Sequence, residues 1–161
     1  MPSAVQLPCA VLSEIIRHAE AGYPEEVCGL VLGRRERPET YTVRRIANVA
    51  GRERPADPGG CPRDARTAYV MDPLEELRAL READEHEWAV VCIYHSHPDH
   101  PAGFSAMDRE RAVMAPGAPL WPDAAYLVVS VLQGRARDAR SFAWHPAARD
   151  FIEEMVALPP A

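Results

Sequence analysis

The chain has 161 residues, 47% of them hydrophobic, which suits one domain built on a single sizeable core, and no second domain is expected. Its formal net charge is −6 and its basic residues are scattered, so a phosphate-backbone partner is disfavoured and no nucleic-acid ligand is expected. No apolar run is long enough to cross a bilayer, and the N-terminal MPSAVQLPC lacks the basic start and long apolar stretch of a signal peptide, so a soluble, cytoplasmic protein with no membrane partner is expected.

All 18 basic residues are arginine, so the chain offers no side-chain amine for conjugation. Cys9, Cys28, Cys61 and Cys92 never form Cys-x-x-Cys, which argues against a zinc ribbon or a thioredoxin-type motif and for reduced thiols.

Val11, Ile15, Ile16 and Ala19 recur at helical spacing, and Gly22 followed by Pro24 gives a stop, so a first helix is predicted from Pro8 to Ala21. Val27 to Gly33 is a short apolar run ended by glycine and then by Arg34, Arg35 and Arg37, which reads as a strand leaving the core for solvent. Tyr41 to Ile46 alternates well enough to pair with it as a hairpin. From Asn48 to Arg66 the pattern fails: three prolines, three glycines and several charges make a long loop, either a flap or plain disorder. Ala68 to Val70 reads as a short strand. Asp72-Pro73 is then an N-cap with proline in the first turn of a second helix. Leu74, Leu77, Leu80 and Ala83 form that helix's expected apolar stripe, with Glu75, Glu76, Arg78 and Arg81 on the wet side and His86 as a cap.

The informative stretch runs from Val90 to Asp108, VVCIYHSHPDHPAGFSAMD. Val90 to Tyr94 looks like a buried strand, and residues i and i+2 of a strand share a face, so His95 and His97 point together. Cys92 is out of phase with them and belongs on the opposite face. Pro98, Pro101 and Gly103 exclude helix and give a stiff loop that ends at Ser105, where Ser-x-x-Asp precedes Met107, Ala112, Val113 and Met114. Ser105 is thus the expected N-cap of a third helix, ended by Pro116 and Gly117, with Asp108 in its first turn. Two imidazoles and a carboxylate converge. Three ligands of nitrogen and oxygen type leave a fourth tetrahedral position open, as in catalytic rather than structural zinc. His100 offers a rival triad with His95 and His97, but the prolines on either side of Asp99-His100 limit its reach, and it reads as a solvent or substrate contact.

Ala125 to Leu132 is another buried strand, and Ala139 to Trp144 returns antiparallel across a turn near Gln133-Gly134. Phe151, Ile152, Met155 and Val156 are expected to close the core from a final short helix. Helices around a mixed sheet make the fold α+β or three-layer α/β.

His95-Ser96-His97, seven residues, Ser105, two residues, Asp108 resembles the motif of the JAMM (MPN-plus) metallopeptidases, and Pro24 to Leu30, PEEVCGL, resembles the glutamate-bearing segment of that family. Tyr94 to Pro101 and Tyr126 to Val131 look like the small bacterial members that process sulfur-carrier proteins. Chance agreement with the four fixed positions is on the order of one in a thousand. The resemblance implies a fold similar to cytidine deaminase and a Zn2+ ion held by His95, His97 and Asp108. It also implies Glu26 as the general base. The residues alone leave Glu25 and Glu26 about equal, and the family spacing favours Glu26. Ser105 is then the candidate oxyanion donor; without the histidines a simple capping box would be the preferred account of Ser105 and Asp108, and with them the two readings coexist. Cys28, two residues after Glu26, either lines the pocket or packs as a small buried thiol.

The implied activity is hydrolysis of the bond after the C-terminal Gly-Gly of a ubiquitin-like or sulfur-carrier protein, releasing cysteine, a peptide extension or a conjugated lysine. Such a glycine-rich tail needs a strand edge to hold it, and the loop from Asn48 to Arg66 with Ala68 to Val70 is the expected edge. Two other readings compete. A zinc deaminase-like hydrolase calls for His-x-Glu paired with Pro-Cys-x-x-Cys, and that pairing does not occur. A non-catalytic MPN-type binding scaffold would be marked by broken ligands, and none is broken.

Overall fold

The computed structural model describes residues 5–52 and 64–160. The middle of the expected loop, 53–63, lies outside the described residues, and with it most of the segment read as a flap.

The order of elements is α1 (Cys9–Gly22), β1 (Cys28–Gly33), β2 (Thr42–Ile46), α2 (Pro73–Glu85), β3 (Ala89–Pro98), α3 (Ala106–Arg111), β4 (Val113–Ala115), β5 (Ala118–Pro119), β6 (Ala125–Leu132), β7 (Arg135–His145) and β8 (Asp150–Met155). Six strands form one mixed sheet in the order β2-β1-β3-β6-β7-β8, and β4 pairs with β5 in a separate small hairpin. Only β3 and β6 are parallel; every other neighbouring pair in the large sheet is antiparallel.

Alternate residues of the central strands feed two cores, as the period of two requires. On one face Leu30, Ile93, Tyr126, Val128, Phe142 and Trp144 pack with Ala79 and Ala83 of α2 and with Phe104 and Ala112 around α3. On the other, Val31, Cys92, Tyr94, Leu127, Val129 and Val131 pack against Val11, Leu12, Ile15 and Ala19 of α1. The result is three layers, with β3 and β6 covered on both sides, which is why their sequences are almost continuously apolar. Val91 is the extra residue of a bulge where the β1–β3 register shifts, and beyond it Cys92 and His95 take opposite faces as expected.

Several elements depart from expectation. The last segment is an edge strand: Phe151 pairs with Trp144 and Met155 with Arg140. The free edge of β7 offers a ladder of backbone partners, which decided a stretch whose apolar spacing suits a helix equally well. The third helix stops at Arg111, and Val113 and Met114 turn into the hairpin through Gly117 at φ 77°. Ala68 to Val70 is not a strand; one bridge joins Asn48 and Met71. In α2, Leu74 and Leu77 are 65% and 44% exposed, and the alanines face the sheet instead. Small residues let the helix approach the sheet closely. Its acidic side is anchored there too, with Glu75 accepting from Ala47 N at 2.7 Å and Glu82 paired to the Arg44 guanidinium.

Candidate metal centre

The site forms at one end of the sheet for a topological reason. β1 runs antiparallel to β3, so the start of β1 lies beside the end of β3, with Cys28 opposite His95. β6 runs parallel to β3, so the chain must cross over between them. The crossover carries α3 across the carboxyl end of β3, the usual place for ligands in α/β sheets. β3 continues through both histidines to Pro98, and Ser96 between them is a structural clasp. Its hydroxyl accepts from Val27 N at 2.9 Å, and its own N–H donates to Val27 O at 3.1 Å.

Three atoms meet at the centre. His95 Nε2 and His97 Nε2 are 3.1 Å apart, and Asp108 Oδ2 lies 3.3 Å from the first and 3.5 Å from the second. Glu26 is buried, with Oε1 3.7 Å from His97 Nε2, and Glu26, His95 and His97 present ligand atoms within 4.8 Å of one another. Glu25, its rival in the sequence, is exposed. Tetrahedral zinc with bonds of about 2.0–2.1 Å separates its ligands by about 3.3–3.4 Å. The His95–His97–Asp108 triangle fits that spacing.

The tautomers agree with that fit. His97 Nδ1 lies 2.8 Å from the Pro101 carbonyl, which can only accept, so Nδ1 carries a proton, and whenever the ring is neutral it is Nε2 that presents the lone pair. Burial works against charging His97, yet Asp108, the Pro101 carbonyl and Glu26 outweigh it and raise its pKa. For His95 burial wins over Asp108, and its pKa falls. Burial opposes ionisation of Asp108 as well, but the two histidines and Ser105 N hold its carboxyl far below the usual carboxylate range. The pocket thus concentrates negative charge and lone pairs, the donor chemistry of a divalent cation site.

Ser105 caps α3 as its sequence suggested. Its hydroxyl accepts from Asp108 N at 3.0 Å, while Asp108 Oδ2 accepts from Ser105 N at 2.9 Å. The carboxylate oxygen bonded to Ser105 N is also the one facing the imidazoles. One oxygen has two lone pairs, so the tasks coexist. Because Ser105 Oγ is an acceptor in this bond, its own proton remains to be donated.

The centre opens into a cleft of about 290 Å³ lined by Glu26, Thr67, Tyr69, His97, Ser105 and Asp108, with Arg66 and Arg111 also on its walls. His100 is exposed on the rim, outside the central triangle; its carbonyl accepts from Ser130 Oγ at 2.6 Å and ties the loop to β6. His18 bonds the Tyr94 hydroxyl at 2.7 Å. Cys28 is fully buried under the site, its Sγ directed at Ile46 O, and burial followed by the charge of Glu26 pushes its thiol up to about 12.

Two residues escaped the sequence reading. The Asn48 side chain donates to Glu26 O at 2.9 Å and to Ala68 O at 3.0 Å, and accepts from Ala50 N and Val70 N, both at 3.0 Å. It therefore ties the backbone of Glu26 to the cleft wall. Tyr69 stacks on His95 with ring centroids 4.5 Å apart. Asn48 reads as the start of a long loop and Tyr69 as part of a short strand expected to hold the substrate tail; no local signal marks either as a support for Glu26 or His95.

The family model described as prokaryotic homologs of the JAB domain matches residues 8–145. Over 160 residues the chain is 32% identical to the desampylase of Haloferax volcanii, covering 97% of each protein. Over 134 residues it is 28% identical to the CysO-cysteine peptidase of Mycobacterium tuberculosis, covering 82% of this chain and 77% of that one. A solution structure of a protein from Salinibacter ruber matches with a TM-score of 0.60 at 29% identity, covering 96% of this chain and 91% of the other.

Proposed function

The chain belongs to the family of prokaryotic homologues of the JAB domain, the JAMM-type hydrolases, and on that premise we propose that it is a zinc-dependent peptidase acting on ubiquitin-like or sulfur-carrier proteins. In this reading it hydrolyses the bond after their terminal Gly-Gly, with cysteine, a peptide extension or a conjugated lysine as the leaving group. The observation that carries the proposal is the triangle of 3.1, 3.3 and 3.5 Å among His95, His97 and Asp108, with a buried glutamate at 3.7 Å beside it. The substrate class rests on the desampylase and CysO-cysteine peptidase relatives.

His95, His97 and Asp108 would hold the ion, and zinc bound there would supply Lewis acidity, bringing the pKa of water to about 7 and polarising a carbonyl. Glu26 takes the proton of the attacking water and returns it to the departing amine, one carboxylate serving as base and then acid. Burial of that carboxylate beside an imidazole suits both tasks, since its charge is not dissipated in bulk water. Ser105 donates its free hydroxyl proton to the oxygen on which charge develops. Asn48 fixes the main chain of Glu26, and Pro101 fixes the ring of His97.

The test combines metal analysis with substrate cleavage. Purified protein is expected to carry one zinc per chain, and His97→Ala to lose it in competition with a chelator. The zinc-loaded enzyme is expected to shorten a carrier protein extended beyond Gly-Gly, read by mass spectrometry. Stoichiometric zinc in His97→Ala overturns the ligand set. Cleavage of unrelated peptides, with every Gly-Gly-extended carrier left intact, overturns the substrate class.

A further inference from the structure

The two histidines of the centre are held by different means. His97 has a carbonyl on its outer nitrogen, the usual device that fixes an imidazole's tautomer and rotation. His95 has none: it is fully buried, and its Nδ1 has no hydrogen-bond partner among the described residues. What lies against His95 instead is a ring. Tyr69 stacks on it with centroids 4.5 Å apart and planes inclined by 27°.

Tyr69 is itself braced on both sides. The single side chain of Asn48 bonds the carbonyl of the residue before it, Ala68, and the N–H of the residue after it, Val70, each at 3.0 Å. Val49 N donates to Val70 O at 2.8 Å, and the Arg111 guanidinium of α3 donates to the carbonyl of Tyr69. A segment with no ladder of its own is thereby fixed at its one aromatic residue. Stacking restricts the plane of the neighbouring ring.

We propose that Tyr69 is a positioning residue for the metal ligand His95: its ring face, rather than a hydrogen bond, sets the imidazole plane so that Nε2 points at the ion. The inference rests on the reading of His95 as a ligand. Its reach differs from that reading, because it assigns the role to a flat face and gives the phenolic hydroxyl no part.

Zinc affinity of the full chain, measured by chelator competition, is the readout, with the melting midpoint of the metal-free protein measured alongside. Tyr69→Phe keeps the face and is expected to bind zinc as the unaltered protein does. Tyr69→Leu fills the space without a flat face and is expected to bind 10–100-fold more weakly, the usual cost of losing an outer-shell orienter of a metal ligand. His95→Ala separates the two layers of the argument. If it binds zinc undiminished, the ligand assignment itself fails. If it loses zinc while Tyr69→Leu keeps full affinity, the positioning role alone fails. A Tyr69→Phe variant as weak as Tyr69→Leu also overturns the inference, because the hydroxyl then carries the effect. A lower metal-free midpoint in Tyr69→Leu with unchanged zinc affinity marks Tyr69 as packing only, and overturns it likewise.

Discussion

Glu26 and Glu25 are adjacent in sequence and opposite in environment, one buried 3.7 Å from His97 and the other exposed. Glu26→Gln removes the proposed base while keeping size and shape. It is expected to retain zinc and fold and to lose at least about 10²-fold in kcat, whereas Glu25→Gln stays close to the unaltered enzyme. Steady-state kinetics on an extended carrier, with zinc content measured in parallel, separates them; an exchange of the two effects would move the base by one residue. Ser105 needs a subtler substitution, because Ser105→Ala removes a helix cap together with a donor. Glycine as an N-cap costs only a few tenths of a kcal/mol. Ser105→Gly is therefore expected to melt close to the unaltered protein and to lose about 10²–10³ in kcat, as oxyanion donors usually do. A melting midpoint that falls sharply with kcat preserved would reduce Ser105 to its cap.

At the scale of elements, α1 is joined to its face of the sheet by polar contacts at and within an apolar layer, Glu20 accepting from Ala136 N at 2.9 Å and His18 meeting Tyr94. Tyr94 lies across Gly29, where an added Cβ would come within 2.4 Å of the phenolic oxygen, and its hydroxyl meets His18 Nδ1 at 2.7 Å. Gly29→Ala must displace a fully buried tyrosine and is expected to cost about 1–3 kcal/mol in denaturant unfolding. His18 adds a pH dependence. Burial, aided by the charge of Arg45, lowers its pKa from 6.5 to about 4. The native imidazole therefore stays neutral where the unfolded one takes a proton. The stability it contributes is complete above 6.5, declines as pH falls from 6.5 to about 4, and changes no further below that. Carboxylates titrate in the same range, so the informative quantity is the difference between the unaltered protein and His18→Gln. That difference in stability is expected to move against the unaltered protein as pH falls from 7 to 4. A constant difference would show that His18 does not titrate in this way.

At the scale of the molecule, the proposed ion joins parts of the chain that no single element holds together: the end of β3 and the start of α3, across a loop. A metal that binds only the folded state stabilises it by mass action, about 4 kcal/mol at a thousandfold excess over Kd. In a domain of this size that corresponds to a rise in Tm of roughly 10 °C. Thermal scans with and without saturating zinc measure it directly, and Asp108→Asn is expected to lose most of the shift. An equal shift in Asp108→Asn would move the ion elsewhere.

Much of this architecture was local information. His-x-His on an apolar run fixes two imidazoles on one face because a strand repeats every two residues, and Ser-x-x-Asp before a helix fixes its own cap because the bonds span three residues. The strands β1, β2 and β6 and the helix α1 were legible for the same reason, within a residue or two at their ends. Helices around a mixed sheet left α+β and three-layer α/β both open, and the packing of helices on both faces of the sheet decided for three layers. Where the sequence failed, the deciding partner was distant. Phe151 to Met155 became a strand because β7 had a free edge, and α2 turned its alanines inward because Glu75 and Glu82 had partners on β2 and at its end. The burial of Glu26 beside His97, and the exposure of Glu25, depend on pairing between β1 and β3, which brings the start of one beside the end of the other. Asn48 and Tyr69 are functional candidates only because the chain returns to them 20 residues or more away, at Val70 and at His95. Periodicity and caps are written in neighbouring residues; which surfaces meet is settled only by the packing of the whole chain.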